Sequence, residues 1–237
     1  MTKSQSKQFQ IFYKIKSDFI EFLIMQGEAV VFKGRANELP DWLRPRKGIP
    51  KMFENPILEK LSHVHPATPL VIYVPIIIFM LYKSVKIFET KEIIFLFFFG
   101  FFIWTLMEYF LHRFVFHFQP KTQFGRKLHF IIHGVHHMYP WDTTRLVMPP
   151  AVSILIAIVV WTIMYNLTGE KAFAIYAGTA TGYILYDMTH FSVHYFKAPK
   201  NKILRFLWKH HLQHHFSRPD RKFGVSSPLW DIIFRTM

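Results

Sequence analysis

Histidine is the residue with most to say about chemistry in this chain. Of its 14 histidines, twelve fall in four short clusters. His112 and His117 form an H-x4-H pair, and His129, His133, His136 and His137 form H-x3-H-x2-H-H. His190 and His194 form H-x3-H, and His210, His211, His214 and His215 form H-H-x2-H-H. Spacings of three and four stack side chains on one helical face. His133 with His136 and His137, His190 with His194, and His211 with His214 and His215 are therefore each expected to point one way. The spacing of five in the first pair sets its members about 140° apart round an ideal helix, which implies a helix end or two slightly different directions.

Neutral imidazole ligates iron, zinc, copper and nickel. Ten or more convergent imidazoles exceed what one ion can use, so two metal ions are implied. A shell of nitrogen alone suits iron that must activate oxygen; zinc fits the same donors, and the residues by themselves leave the metal open. A single histidine at a membrane interface is commonly an anchor or a pH-sensitive surface group, and His63 and His65 are read that way. Four clusters at ligand spacing are not. His129 reads either as a ligand or as a hydrogen-bonding partner of one, and His210 has poorer spacing than His211. Glu108, one turn before His112, and Tyr186 and Asp187, just before His190, have two readings: holding a substrate's polar end, or orienting a metal-bound imidazole. Asp142 and Arg145 are expected to pair with each other.

The elements that must position these residues are apolar. The 237 residues are 51% hydrophobic and 19% charged, against roughly 25% charged in an average soluble domain, and the apolar residues gather in long runs. Leu70–Tyr82 (containing Pro75, a potential kink), Ile93–Leu111, Val147–Leu167 and Ala172–Tyr186 are four candidate spans. Every histidine cluster begins where such a segment ends or on the polar stretch after it. Four spans put both termini and residues 112–146 on one side, and Lys and Arg agree: 25 of the 29 fall on that side, which the positive-inside rule makes cytoplasmic. The net charge of +14 is thereby explained by orientation and anionic headgroups, and nucleic acid is not an expected partner. Ligands placed at the exits rather than at mid-span argue against a transporter. The first ten residues are polar, and no cleavable signal peptide is expected. Residues 1–54 read as a segment lying on the membrane surface, with an amphipathic helix expected around Phe9–Met25. The absence of cysteine excludes disulfides, thiolate haem and iron–sulfur clusters.

The motifs HRFVFH from His112, LHFIIHGVHH from Leu128, RLVMPP from Arg145, YDMTHFSVH from Tyr186, HHLQHHF from His210 and FGVSSPLWD from Phe223 resemble those of the fatty acid hydroxylase and sterol desaturase superfamily. Within it, the chain is most similar to the fatty acid 2-hydroxylases over residues 55–237. The resemblance implies an all-α integral membrane enzyme in which four transmembrane helices carry a cytosolic helical cap, with a histidine-bound dimetal centre between the two. It implies His112, His117, His133, His136, His137, His190, His194, His211, His214 and His215 as ligands, and oxygen-dependent hydroxylation of a long acyl chain at C2 with molecular oxygen as co-substrate. A C2 target suits clusters at the interface, where a lipid's carbonyl end lies. The fused cytochrome b-type domain of many eukaryotic members carries an HPGG motif that is absent here. Electrons are therefore expected from a separate cytochrome b-type protein or ferredoxin with its reductase. The alternatives are an oxygenase or desaturase acting on a sterol, carotenoid or alkyl lipid, and a non-enzymatic metal carrier.

Overall fold

The computed structural model describes residues 45–119 and 121–237, and among these it is all-helical. The amphipathic helix expected around Phe9–Met25 lies outside the described residues. The elements are α1 (Pro56–Ser62), α2 (Thr68–Ser84), α3 (Thr90–Phe110), α4 (Gln123–His129), α5 (Val135–Met138), α6 (Pro150–Thr168), α7 (Ala172–Tyr195), α8 (Lys202–Phe216) and α9 (Leu229–Ile233). Local chemistry sets many of their ends. Asn55 caps α1, and Asn201 caps α8, by accepting from backbone N–H groups of the first turn. Pro150 opens α6, and Gly169, at φ 58°, closes it. Pro75 sits inside α2 without ending it.

Two helical stretches, Thr90–Phe116 and Thr143–Tyr195, are long and apolar enough to cross a membrane, while Thr68–Ser84 is apolar but shorter. The second stretch contains both α6 and α7, the hairpin expected from the sequence. Large apolar side chains such as Val71, Phe95, Phe98 and Leu155 face outward, as lipid rather than water requires.

α7 is the central helix and packs on α2, α3 and α6. Its contact with α3 is close because glycines meet backbone: a Cβ built on Gly178 would lie 1.8 Å from the Phe97 carbonyl oxygen, and one on Gly100 would lie 1.8 Å from that of Ile175. Small residues allow such an approach between helices in lipid, where van der Waals packing and interhelical hydrogen bonds replace the hydrophobic effect. Thr179 Oγ1 adds a hydrogen bond to the Gly100 carbonyl (3.0 Å). Tyr73, Trp104, Tyr183 and Tyr186 form the aromatic interior of this bundle.

Candidate metal centre

The histidines converge at the ends of these helices. α3 does not stop at Phe110 but continues into a π-helical turn, Leu111–Phe116, in which the His117 N–H donates to the His112 carbonyl at 3.1 Å. This wider i→i+5 turn brings a pair spaced by five residues into one site. A second π-helical turn, Phe130–Gly134, precedes α5. α7 runs without a break from Ala172 to Tyr195 and carries His190 and His194 on its last turns. α8 supplies His211, His214 and His215.

Ten imidazoles form two groups of five, in each of which the ring nitrogens lie within 4.8 Å of one another. The first is His112, His117, His133, His137 and His214; the second is His136, His190, His194, His211 and His215. The expectation that each cluster points one way is corrected here. His136 leaves His133 and His137 for the second group, and His214 leaves His211 and His215 for the first. Residues three and four apart diverge in direction by tens of degrees, enough to serve two adjacent centres.

The donor chemistry fits cations. The Nδ1–H of His112 donates to the Phe223 carbonyl (2.5 Å), that of His190 to Leu146 (2.9 Å) and that of His214 to Arg221 (2.6 Å). With Nδ1 protonated, each Nε2 presents a lone pair. Those lone pairs meet further Nε2 atoms: His112 to His133 at 3.2 Å, His190 to His136 at 2.8 Å and His214 to His117 at 2.9 Å. Two nitrogens bound at right angles with bonds of about 2.0–2.1 Å stand about 2.8–3.0 Å apart, against about 3.3–3.4 Å at the tetrahedral angle. Five donors at such spacing exceed the four of a structural zinc site. Burial holds the imidazoles of His117, His133, His136, His137, His211, His214 and His215 below the ordinary histidine range, His214 at about 4. They are neutral near pH 7, the form that binds metal.

The remaining candidates sort by contact. His129 stands outside both groups; its ring packs on Phe118 at 5.3 Å. Glu108 touches no imidazole through a hydrogen bond in the structure and instead accepts from the Val225 N–H (2.6 Å), the Ser226 N–H (2.8 Å) and the Ser226 hydroxyl. Asp187 accepts from the Met148 N–H (3.3 Å) and the Tyr183 hydroxyl (3.1 Å). That contact steadies the turn whose Leu146 carbonyl receives His190. Tyr186 stacks on His190, with ring centroids 5.9 Å apart and planes 9° from parallel. Arg145 pairs with Asp142 (2.7 Å), as expected, and also with Glu59 (2.7 Å), while His63 Nδ1 meets Thr144 Oγ1 at 2.7 Å. These contacts tie residues 59–63 to the loop before α6.

Sequence reasoning missed Asp231, which is fully buried. Its carboxylate accepts from the Phe223 N–H (2.9 Å), the Gly224 N–H (2.8 Å), the Thr236 hydroxyl (2.7 Å) and His210 Nε2 (3.0 Å). His210 is thus turned away from the metal groups. Burial raises the Asp231 pKa, but these four donors outweigh it and leave the carboxyl below its usual range. The signal was an acid in the FGVSSPLWD segment with no partner legible along the chain. Between α2, α3, α6 and α7 lies a small cavity lined by Tyr73, Trp104, Leu111, Met148, Ser153 and Tyr183 among others, its wall reaching Leu111 beside His112.

Comparison with known proteins agrees with this geometry. Residues 97–236 match the family model described as fatty acid hydroxylase. The chain is 39% identical over 191 residues to the dihydroceramide fatty acyl 2-hydroxylase FAH1 of Arabidopsis thaliana, covering 79% of this chain and 80% of that one. It is 32% identical over 209 residues to human fatty acid 2-hydroxylase, covering 79% of this chain and 56% of that protein. A solved structure, full-length scs7p with only the hydroxylase domain visible, superposes with a TM-score of 0.77 at 35% identity, covering 82% of this chain and 75% of the other. With the ten clustered imidazoles and these matches across most of its length, the chain belongs to the fatty acid hydroxylase family.

Proposed function

We propose that this chain hydroxylates the C2 carbon of a long-chain acyl group carried as the amide of a neutral lipid. The observation that carries the reading is the pair of five-imidazole groups together with an apolar cavity whose wall reaches Leu111, beside His112. His112, His117, His133, His137 and His214 would hold one iron, and His136, His190, His194, His211 and His215 the other. When bound, the two irons supply oxygen activation and insertion of one oxygen atom into a C–H bond, with electrons from a separate donor protein.

The chain's own residues supply geometry and exclusion of water. The Phe223, Arg221 and Leu146 carbonyls fix ring orientation through Nδ1. Asp187 acts through the Met148 turn. Tyr186 is stacked on His190, with its ring 5.8 Å from that of Trp104, which lines the cavity. From there its hydroxyl can meet the substrate's polar end. The cavity runs from Leu111, beside His112, to Val160 and Tyr176 deeper in the bundle, so an acyl tail entering it places its carbonyl end nearest the metals. Helices α2, α3, α6 and α7 would span the bilayer, with the imidazoles on the cytoplasmic side together with both termini, as the distribution of Lys and Arg favours. Residues 1–54 would lie on that membrane surface.

The test is mass spectrometry of hydrolysed lipids from cells expressing the wild type or His133→Ala, grown under isotopically heavy oxygen with a donor protein supplied. A labelled 2-hydroxy acid seen only with the wild type is expected. Its absence despite folded, metal-loaded wild-type protein would overturn the proposal.

A further inference from the structure

Residues 221–237, which follow α8 and include α9, lie back along α3 as a strap. The Trp230 ring packs on Phe102 (5.5 Å between centroids) and its Nε1–H donates to Thr105 Oγ1 (3.0 Å). Phe234 stacks on Tyr109 (5.2 Å), whose hydroxyl meets Thr236 Oγ1 at 3.0 Å. These contacts give the strap a depth. Glu92 and Arg113 bracket the apolar run of α3, with only the buried Glu108 as a further acid or base of the Glu and Arg kind between them. At about 1.5 Å per residue the run from Glu92 to Arg113 rises about 31 Å, matching a hydrocarbon core of about 30 Å. On that scale Phe102 stands about 15 Å, and Thr105 about 20 Å, from the Glu92 end. Trp230, and α9 with it, therefore sits within the apolar layer rather than above it.

The strap's polar groups suit that place. Irregular backbone is tolerated at membrane depth only where its polar groups find partners inside the protein. Five successive amides do so. Lys222 donates to the Thr236 carbonyl (2.8 Å), Phe223 and Gly224 donate to the Asp231 carboxylate (2.9 and 2.8 Å), and Val225 and Ser226 donate to the Glu108 carboxylate (2.6 and 2.8 Å). At a solvent-facing turn water would serve these amides without the cost of burying two carboxylates. The outward side is apolar. Ile232 is 58% exposed and Ile233 53%, with Leu229 and Phe234 exposed beside them. Through the ring contacts of Trp230 with Phe102 and of Phe234 with Phe110 (5.8 Å), this face runs on into outward-facing rings of α3. Arg235, exposed at the end of α9, has a stem long enough to carry its guanidinium towards headgroups.

We infer that the outer face of α9, formed by Leu229, Ile232, Ile233 and Phe234, is a lipid-contact surface covered by acyl chains of the leaflet on the side of the imidazoles. The strap also carries the Phe223 and Arg221 carbonyls that hold His112 and His214, so the segment orienting the first metal group is seated in the bilayer. This inference rests on the proposed spanning role of α3.

The test uses the full chain in phosphatidylcholine nanodiscs. The chain has no cysteine, so Ile232→Cys, Ile233→Cys, Phe98→Cys and Asp220→Cys each accept one nitroxide label, all at outward-facing positions. Collisions of the label with oxygen, which dissolves among acyl chains, and with a water-soluble nickel chelate are read by electron paramagnetic resonance. Phe98 on α3 marks lipid and Asp220 marks water. At Ile232 and Ile233 nickel contact should be lost to the level at Phe98 while oxygen contact stays high. Nickel contact equal to that at Asp220 overturns the inference, because water then covers the face. Shielding from both reagents also overturns it, because another protein surface, such as a second copy of the chain, is then the cover. Nickel contact at Phe98 as well refutes the spanning reading of α3 itself and the inference with it.

Discussion

Replacing Asp231 with Asn should empty one metal group and spare the other. Asp231 is buried, and its two oxygens accept four hydrogen bonds, from Phe223, Gly224, Thr236 and His210. Asn keeps the volume but turns one oxygen into an NH2 that must face two donors. Each donor left unpaired costs about 1–3 kcal/mol, so with two on one oxygen the expected loss of stability is about 2–6 kcal/mol. The damage is local. The segment released carries the Phe223 and Arg221 carbonyls, which hold His112 and His214 through Nδ1, and both imidazoles belong to the first group. Loss of such an outer partner weakens metal binding about 10–100-fold. The second group is anchored elsewhere, through Leu146 and His190. Chelator titration followed by elemental analysis should show one ion leaving Asp231→Asn at low chelator while the other stays, against two retained by the wild type. Loss of both ions together, or retention of both at wild-type affinity, would refute the reasoning.

His133→Ala should lower bound metal, whereas His129→Ala, outside both groups, should leave two ions per chain by elemental analysis. Gly178→Ala should cost about 3 kcal/mol or more, because its Cβ would lie 1.8 Å from the Phe97 carbonyl oxygen; a wild-type unfolding midpoint in detergent would contradict the close packing of α3 on α7. Burial raises the Glu59 pKa, but the amides of Phe53 and Met52 and the Arg145 guanidinium outweigh it and pull the carboxyl down to about 2. A carboxyl lowered on folding stabilises the protein fully above its ordinary value of 4.5 and loses that contribution as the pH falls towards 2. The stability gap between wild type and Glu59→Gln, about 1–3 kcal/mol at neutral pH, should therefore close on acidification from pH 5 to pH 2, measured by chemical unfolding of metal-free protein.

The apolar helices and the histidine inventory were legible along the chain because both are local patterns. Runs such as Ile93–Leu111 declare a lipid-facing helix by composition, and spacings of three and four mark imidazoles that share a helix face. The Asp142–Arg145 pair was legible for the same reason, being three residues apart. The H-x4-H pair was harder to read. Its geometry departs from a regular helix, and only the π-helical turn after α3 shows how His112 and His117 join one group.

What the sequence by itself determined was the kind of centre: ten neutral nitrogen donors, no thiolate, at the ends of membrane-length helices. How those donors divide was decided by tertiary structure alone. His136 and His137 are neighbours in the chain but belong to different groups, because successive residues on a helix diverge by about 100° and each direction meets a different set of imidazoles. His137 meets His214 and His117, whereas His136 meets His190, His194, His211 and His215. The anchoring of the rings was equally hidden. The carbonyls of Phe223, Arg221 and Leu146 are backbone atoms, present at every residue, and nothing but the folded path of the chain selects those three to face an imidazole.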